Sequence, residues 1–172
     1  MTFIVDGTNG LTFPDTSVQA VTATNATNIT SGTLPFARLP TGSVLQVVQT
    51  TSSTQVNTTS TSPVATGFTA SITPKFSTSK ILITFSTAIL GDSGAEVGTF
   101  LYRGTSALSG NIKGAGITGS GAWCPLSTTY LDSPATTSST TYNIYFQRNV
   151  ATGTAYMGNP SITFFTLMEI AG

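Results

Sequence analysis

Lys80-Ile81-Leu82-Ile83-Thr84-Phe85-Ser86-Thr87-Ala88-Ile89-Leu90 is the stretch that decides the fold. Ile81, Ile83, Phe85 and Ile89 fall on alternate positions, and Thr87 completes the row. Alternate side chains of a strand leave on opposite faces, so this row makes one apolar wall. Leu82, Ala88 and Leu90 add apolar groups to the other face. The spacing predicts a central strand covered on both sides.

Segments on either side read as strands that pair with it or pack over it. After Gly42, the residues Val44, Leu45, Val47 and Val48 form a first strand. Ser52 to Thr59 alternates weakly and reads as an edge or a loop. Phe68, Ala70 and Ile72 alternate as far as Pro74. Beyond the turn Gly91-Asp92-Ser93-Gly94 comes a strand from Val97 to Arg103, with Phe100 and Tyr102 on one face. Ser109 to Gly121 holds five glycines and is too loose for a strand interior. Trp123 to Leu131 reads as another strand, and Asp132-Ser133-Pro134-Ala135 turns the chain. Tyr142, Ile144 and Phe146 alternate with Asn143, Tyr145 and Gln147. Tyr156 and Met157 form a short piece. The last segment sets Ile162, Phe164, Met168 and Ile170 against Phe165, Leu167 and Glu169. No window carries a helical period. Roughly eight to ten strands with regular turn signals predict an all-β, antiparallel β-sandwich. Eight strands in two sheets is the jelly-roll solution to exposed edges. The last strand is apolar on both faces, whereas a small sandwich buries one face per strand. The spare face asks for a neighbour, and a threefold subunit interface supplies one, which marks Phe165 and Leu167 as interface residues.

Composition narrows the function. Of 172 residues, 39% are hydrophobic, enough for a core, and 7% are charged, against about 25% in ordinary soluble domains. Six basic residues balance six acidic ones. Disordered chains combine low hydrophobicity with net charge, and nucleic-acid binders need a basic footprint, so neither class fits. Roughly a third of the residues are Thr or Ser, which suits strands and gives a neutral, hydroxyl-covered surface. No apolar run approaches the ~18 residues of a membrane span, so membrane insertion is not expected. Met1-Thr2-Phe3-Ile4-Val5-Asp6 shows no secretion signal, and the single cysteine, Cys124, rules out an intrachain disulfide. An outward-facing composition without an export signal fits a virion component assembled in a host cytoplasm.

Residues 1–42 differ from the rest. Asp6-Gly7-Thr8-Asn9-Gly10 is a turn signal. From Thr24 onward Thr recurs every third residue, through Thr27, Thr30 and Thr33. A period of three suits an extended, polyproline-like chain or one winding about a threefold axis. The apolar Ile29, Leu34 and Leu39 have no partner element here, and self-association would cover them. The alternative is a flexible Thr-rich linker. The expectation is a stem over 1–42 and a sandwich head over 43–172.

Asp6-Gly7-Thr8-Asn9-Gly10-Leu11-Thr12-Phe13-Pro14-Asp15, followed by Val18-Gln19, resembles N-terminal segments of short structural proteins of tailed bacteriophages. Gly32-Thr33-Leu34-Pro35 with Ala37-Arg38-Leu39-Pro40 resembles a linker motif of phage fibres. Ser79-Lys80-Ile81-Leu82-Ile83, Leu101-Tyr102-Arg103-Gly104, Leu131-Asp132-Ser133-Pro134, Thr141-Tyr142 and Met168-Glu169-Ile170 resemble a recurrent C-terminal domain of marine phage fibre and appendage proteins. The resemblance implies a homotrimer with a jelly-roll, tumour-necrosis-factor-like head on a thin stem. The stem would attach to another virion protein, of capsid or tail, and the head would face outward.

Chemistry is sparse. With no histidine, His-based triads and zinc sites are excluded. Cys124, between Trp123 and Pro125, reads as a small buried hydrophobe. Asp92 and Glu96 flank a glycine turn and are the nearest approach to a glycosidase pair, but a solvated loop explains them better, and calcium would need more oxygen ligands. Gly114-Ala115-Gly116-Ile117-Thr118-Gly119 lacks the lysine and helix of a phosphate loop. Arg103, Asp132, Arg148 and Glu169 read as ion pairs at sheet ends or between subunits. No enzyme, cofactor or metal is expected. Trp123 and Tyr130 are the candidate ligand residues, as an aromatic platform on which a host surface glycan could stack.

Overall fold

The computed structural model describes residues 4–6, 10–12, 18–19, 35–110, 112–113, 122–150, 152–158 and 162–172. The chain divides into two compact units, Met1–Arg38 and Leu39–Gly172, a division slightly N-terminal of the expected 42/43 boundary. The first unit contains a three-stranded antiparallel sheet of β1 (Ile4–Asp6), β2 (Gly10–Thr12) and β3 (Val18–Gln19). A 3-10 turn spans Phe36–Arg38. Ile29 and Leu34 lie outside the described residues; Leu39, in the second unit, is half-buried.

The second unit is an antiparallel β-sandwich. Its strands are β4 (Val44–Ser52), β5 (Val56–Thr58), β6 (Val64–Ile72), β7 (Lys80–Asp92), β8 (Val97–Arg103), β9 (Ser106–Ala107), β10 (Ile112–Lys113), β11 (Cys124–Asp132), β12 (Thr140–Arg148), β13 (Thr154–Gly158) and β14 (Thr163–Ile170). In the first sheet β7 is central, as its alternation predicts. β14 and then β13 pair along one edge of β7, and β11 pairs along the other. β4 and β5 extend the sheet beyond β14 and β13. The second sheet runs β6-β12-β8-β10, with β9 beside β8. With β5, β9 and β13 set aside and the other eight strands of this unit numbered in chain order, the sheets read 1-8-3-6 and 2-7-4-5, the order of a jelly roll. Among the described residues no helix is long and apolar enough to cross a membrane.

The core lies between the sheets. Ile81, Ile83, Phe85 and Ile89 of β7 face Tyr142, Ile144 and Phe146 of β12 and Leu101 of β8, all within the buried cluster. Phe85 is the pivot: its ring meets Phe165 edge-on at 5.7 Å and Phe68, from the opposite sheet, at 6.5 Å. Both geometries are favourable for aromatic quadrupoles. In β6 the register against β12 slips between Asn143 and Tyr145. Gly67 takes φ +80° there, and the Thr66 hydroxyl donates to the Ile144 carbonyl at 2.7 Å. This is a bulge at a position that a side chain would strain.

Two expectations are overturned here. Phe165 and Leu167 do not face another subunit; at 1% and 0% exposure they are core residues of their own chain, because their row of β14 points between the sheets. The spare face of β14 is the opposite row, where Phe164 is 43% exposed. Nor is β7 covered on both sides within this unit, since Leu82, Thr84 and Leu90 are only half-buried and Ser86 is exposed.

Candidate functional site

Cross-strand partners share a face, so the registers map the outer surface of the first sheet row by row. Val47 (β4), Met168 (β14), Leu82 (β7) and Leu131 (β11) stand side by side across four strands. Val47 is 57% and Leu131 51% exposed. The neighbouring pair Val44 and Ile170 extends this apolar band toward Lys80. The next outward row is polar: Gln49, Thr166, Thr84 and Thr129. Beyond it Thr51, Phe164, Ser86 and Ser127 align. Among the described residues, the exposed large hydrophobics of the second unit are Val44, Val47, Leu131, Ile162 and Phe164. Val47, Leu131 and Phe164 lie on this one face by register, Val44 joins them opposite Ile170 where the β4–β14 register slips, and Ile162 lies beside Phe164. Scattered exposed apolar residues need no explanation, but their concentration on one sheet face does.

At the Ser86 end the face is hollowed. Trp123, Phe164, Ile162, Pro125, Ala88 and Ser86 line a depression of about 440 Å³, bordered also by Thr87 and Cys124 of the inward rows. Ala88 is paired with Pro125 and Ser86 with Phe164, which is how β11 and β14, on opposite edges of β7, bring segments about forty positions apart together. The Thr87 hydroxyl is engaged with that of Thr163 at 2.8 Å. The exposed Ser86 hydroxyl makes no hydrogen bond within the described residues.

The expected pairing of Trp123 with Tyr130 does not form. Tyr130 sits opposite Ile83 in the inward row of β11 and packs against the core. Seven residues of extended chain separate the two, roughly 23 Å. Trp123 is instead accompanied by Phe164 and Ile162, which lie about forty positions away in sequence and carry no motif that joins them to it.

The charged residues hold the sandwich together. Arg103 Nη1 donates to both oxygens of Asp132, at 3.0 and 2.9 Å, and the Tyr142 hydroxyl donates to Asp132 Oδ2 at 2.7 Å. Asp132 belongs to one sheet and its two partners to the other, so the group ties β11 to β8 and β12. Burial, and then the hydrogen bond to the adjacent Asp132 carboxylate, push the Tyr142 phenol far above its ordinary pKa, against a smaller opposing pull from Arg103. Glu169, fully buried, accepts 2.6 Å hydrogen bonds from Gln46 Nε2 and from the Lys75 backbone N–H. Arg148 Nη1 donates to the Gly153 carbonyl at 2.7 Å. Of the four candidate ion-pairing residues, Arg103 and Asp132 thus meet, within one chain, while Glu169 and Arg148 bond elsewhere. Asp92 and Glu96 flank the turn at Ser93 and Gly94, where φ is positive at both residues. Asp92 takes a 3.1 Å hydrogen bond from Ser93 Oγ, as a solvated turn would. Among the described residues, no three of His, Cys, Asp and Glu gather as a metal site. The glycine-rich 114–119 segment lies outside the described residues.

No protein-family model matches the chain, and no curated protein matches it in sequence. Solved structures with a similar fold include the C-terminal domain of EclA, a sugar-binding protein, at 14% identity and a TM-score of 0.38, over 66% of this chain and 78% of that one. Infectious bursal disease virus structures also align. The Gx strain gives 16% identity and a TM-score of 0.43, over 74% of this chain and 32% of the viral one. The Gt strain gives 15% identity and a TM-score of 0.34, over 75% and 39%. The chain spans about a third of the length of these viral proteins.

Proposed function

We propose that this chain is a structural component of a virion surface: an appendage of a tailed bacteriophage, on capsid or tail, that works by assembly and adhesion without catalytic turnover. It acts as a homotrimer, attached through its N-terminal unit to another virion protein, put together in the host cytoplasm and displayed outside. The observation that carries the reading is the apolar band of Val47, Met168, Leu82 and Leu131 on the outer face of the first sheet. A chain with 7% charged residues cannot rely on charge repulsion to keep such a band apart from its like. The band holds no ionised group of its own, so copies can meet there without burying like charges. Covering it with further copies of the chain removes it from water, and threefold repetition multiplies weak contacts of each head with a surface. The sequence resemblance to trimeric phage fibres supplies the number three.

The test is mass in solution together with location. Native mass spectrometry of the full chain should give a trimer, and Leu82→Asp with Val47→Asp should give a folded monomer. Antibody against the head should label intact phage particles in electron micrographs. A wild-type monomer would overturn the trimer, and particles free of label would overturn the virion role.

A further inference from the structure

We propose that the Trp123–Phe164 hollow binds a neutral saccharide of one or two pyranose rings, stacked on the aromatic side chains. The inference gives the displayed head a ligand, but it rests on the hollow and not on the assembly of the chain. Its lining combines two aromatic rings and the aliphatic Ile162, Pro125 and Ala88 with the exposed Ser86 hydroxyl. Along the strand row, Ser127 and Thr51 add exposed hydroxyls on either side of Ser86 and Phe164.

The chemistry of the lining selects the ligand. Among the described residues no Asp, Glu, Lys or Arg contributes to it, so an anion or cation would be desolvated there without a counter-charge, which is costly. A purely apolar ligand would cover the Ser86 hydroxyl and leave it unpaired. A pyranose has a flat C–H face that suits an aromatic ring and a rim of hydroxyls that pairs with Ser86 and its neighbours. At about 440 Å³ the hollow is within the range of small-molecule sites. The polar Gln49–Thr166–Thr84–Thr129 row separates it from the Leu82 band. The Leu82 and Ser86 rows are four residues apart along β7, roughly 13 Å. Association through the band therefore leaves room for a ligand at the hollow.

The molecule carries its own reporter. Trp123 is the single tryptophan of the chain, so intrinsic fluorescence reads this site. The full chain is titrated with glucose, galactose, mannose, N-acetylglucosamine, lactose and cellobiose, with glucuronate as the charged comparator. At least one neutral sugar should give a saturable change in Trp123 emission. Phe164→Ala should weaken that binding at least tenfold and Ser86→Ala several-fold, while Phe164→Tyr retains it. The Tyr and Ser86 variants keep the comparison decisive if Phe164→Ala fails to fold. No saturable response across the neutral panel, equal affinity in Ser86→Ala and Phe164→Ala, or glucuronate binding as tightly as its neutral counterpart would each overturn the proposal. Native mass measured on the same samples keeps the two readings apart: a trimer that binds no sugar refutes this site and leaves the assembly standing.

Discussion

Replacing Tyr142 with Phe deletes one oxygen from the middle of the sandwich, and the effect should depend on pH. Tyr142 is fully buried and its hydroxyl donates to Asp132 at 2.7 Å. A hydrogen bond to a charged group contributes about 1.5–3 kcal/mol. Asp132 keeps its two contacts with Arg103 in the variant, so the loss at neutral pH should be near the lower end, about 1.5 kcal/mol. In the folded chain the phenol is held protonated by burial and by the neighbouring carboxylate. In the unfolded chain it ionises near its ordinary pKa of about 10. Above that pH the unfolded state alone gains free energy by losing the proton, so wild-type stability falls as pH rises. At pH 11 the gain is RT ln(1 + 10), about 1.4 kcal/mol. The Phe variant lacks this term. Urea denaturation followed by circular dichroism at pH 8, 9, 10 and 11 should therefore show wild type about 1.5 kcal/mol more stable at pH 8 and nearly equal to the variant at pH 11. Parallel stability curves for the two proteins across this range would refute the placement of the phenol against Asp132.

Three further outcomes follow from the packing. Phe165→Ala should cost about 3–5 kcal/mol in urea denaturation, because the ring is buried against Phe85, whereas Phe164→Ala one position away should cost under about 1 kcal/mol. Equal costs would mean that the face assignment of β14 is wrong. Arg103→Ala should destabilise by about 2–3 kcal/mol, less than for a fully buried pair because the Arg103 side chain is about a third exposed, and Asp132→Asn in the same background should recover part of the loss. Gly67→Ala should cost about 1–2 kcal/mol from its positive φ alone, since a Cβ there meets nothing within 4 Å. Gly153→Ala should cost more, because its Cβ would run into the Asp92 carbonyl oxygen as well.

Alternation made the architecture legible. β8 begins at Val97 and ends at Arg103 as its sequence pattern indicates, and Tyr142, Ile144 and Phe146 face inward as their spacing requires. What alternation cannot tell is which of two apolar rows points inward. β14 shows this, since its two rows carry similar apolar content. The row of Phe165 and Leu167 also bears Glu169, a residue that ordinarily marks a solvent face. The carboxylate is nevertheless buried, because Lys75 and Gln46, 94 and 123 positions away, supply its hydrogen bonds. Partners that distant leave no local trace. Trp123 and Tyr130 failed as a pair for a simpler reason: an odd separation along one strand puts two side chains on opposite faces, so a shared platform was excluded once β11 ran unbroken between them.

The two outer faces of the second unit differ in how their apolar groups are covered. The second sheet's outer surface has aromatic groups too, but Tyr102 and Tyr145 stack on each other with centroids 4.2 Å apart, and neither ring is left to stand alone. On the first sheet Val47, Leu131, Ile162 and Phe164 remain open, although threonine would have served β propensity in their place, as it does in the row between. A chain that uses threonine and serine for roughly a third of its residues does not lack polar substitutes. Apolar groups kept on one face, and divided by a hydroxyl row into a flat band and a hollow, therefore call for two coverings of different shape. A flat band suits another protein surface and a hollow of a few hundred Å³ suits a small molecule. The two coverings also separate experimentally. Charge placed at Leu82 should disturb mass and spare the Trp123 signal, and truncation at Phe164 should do the reverse.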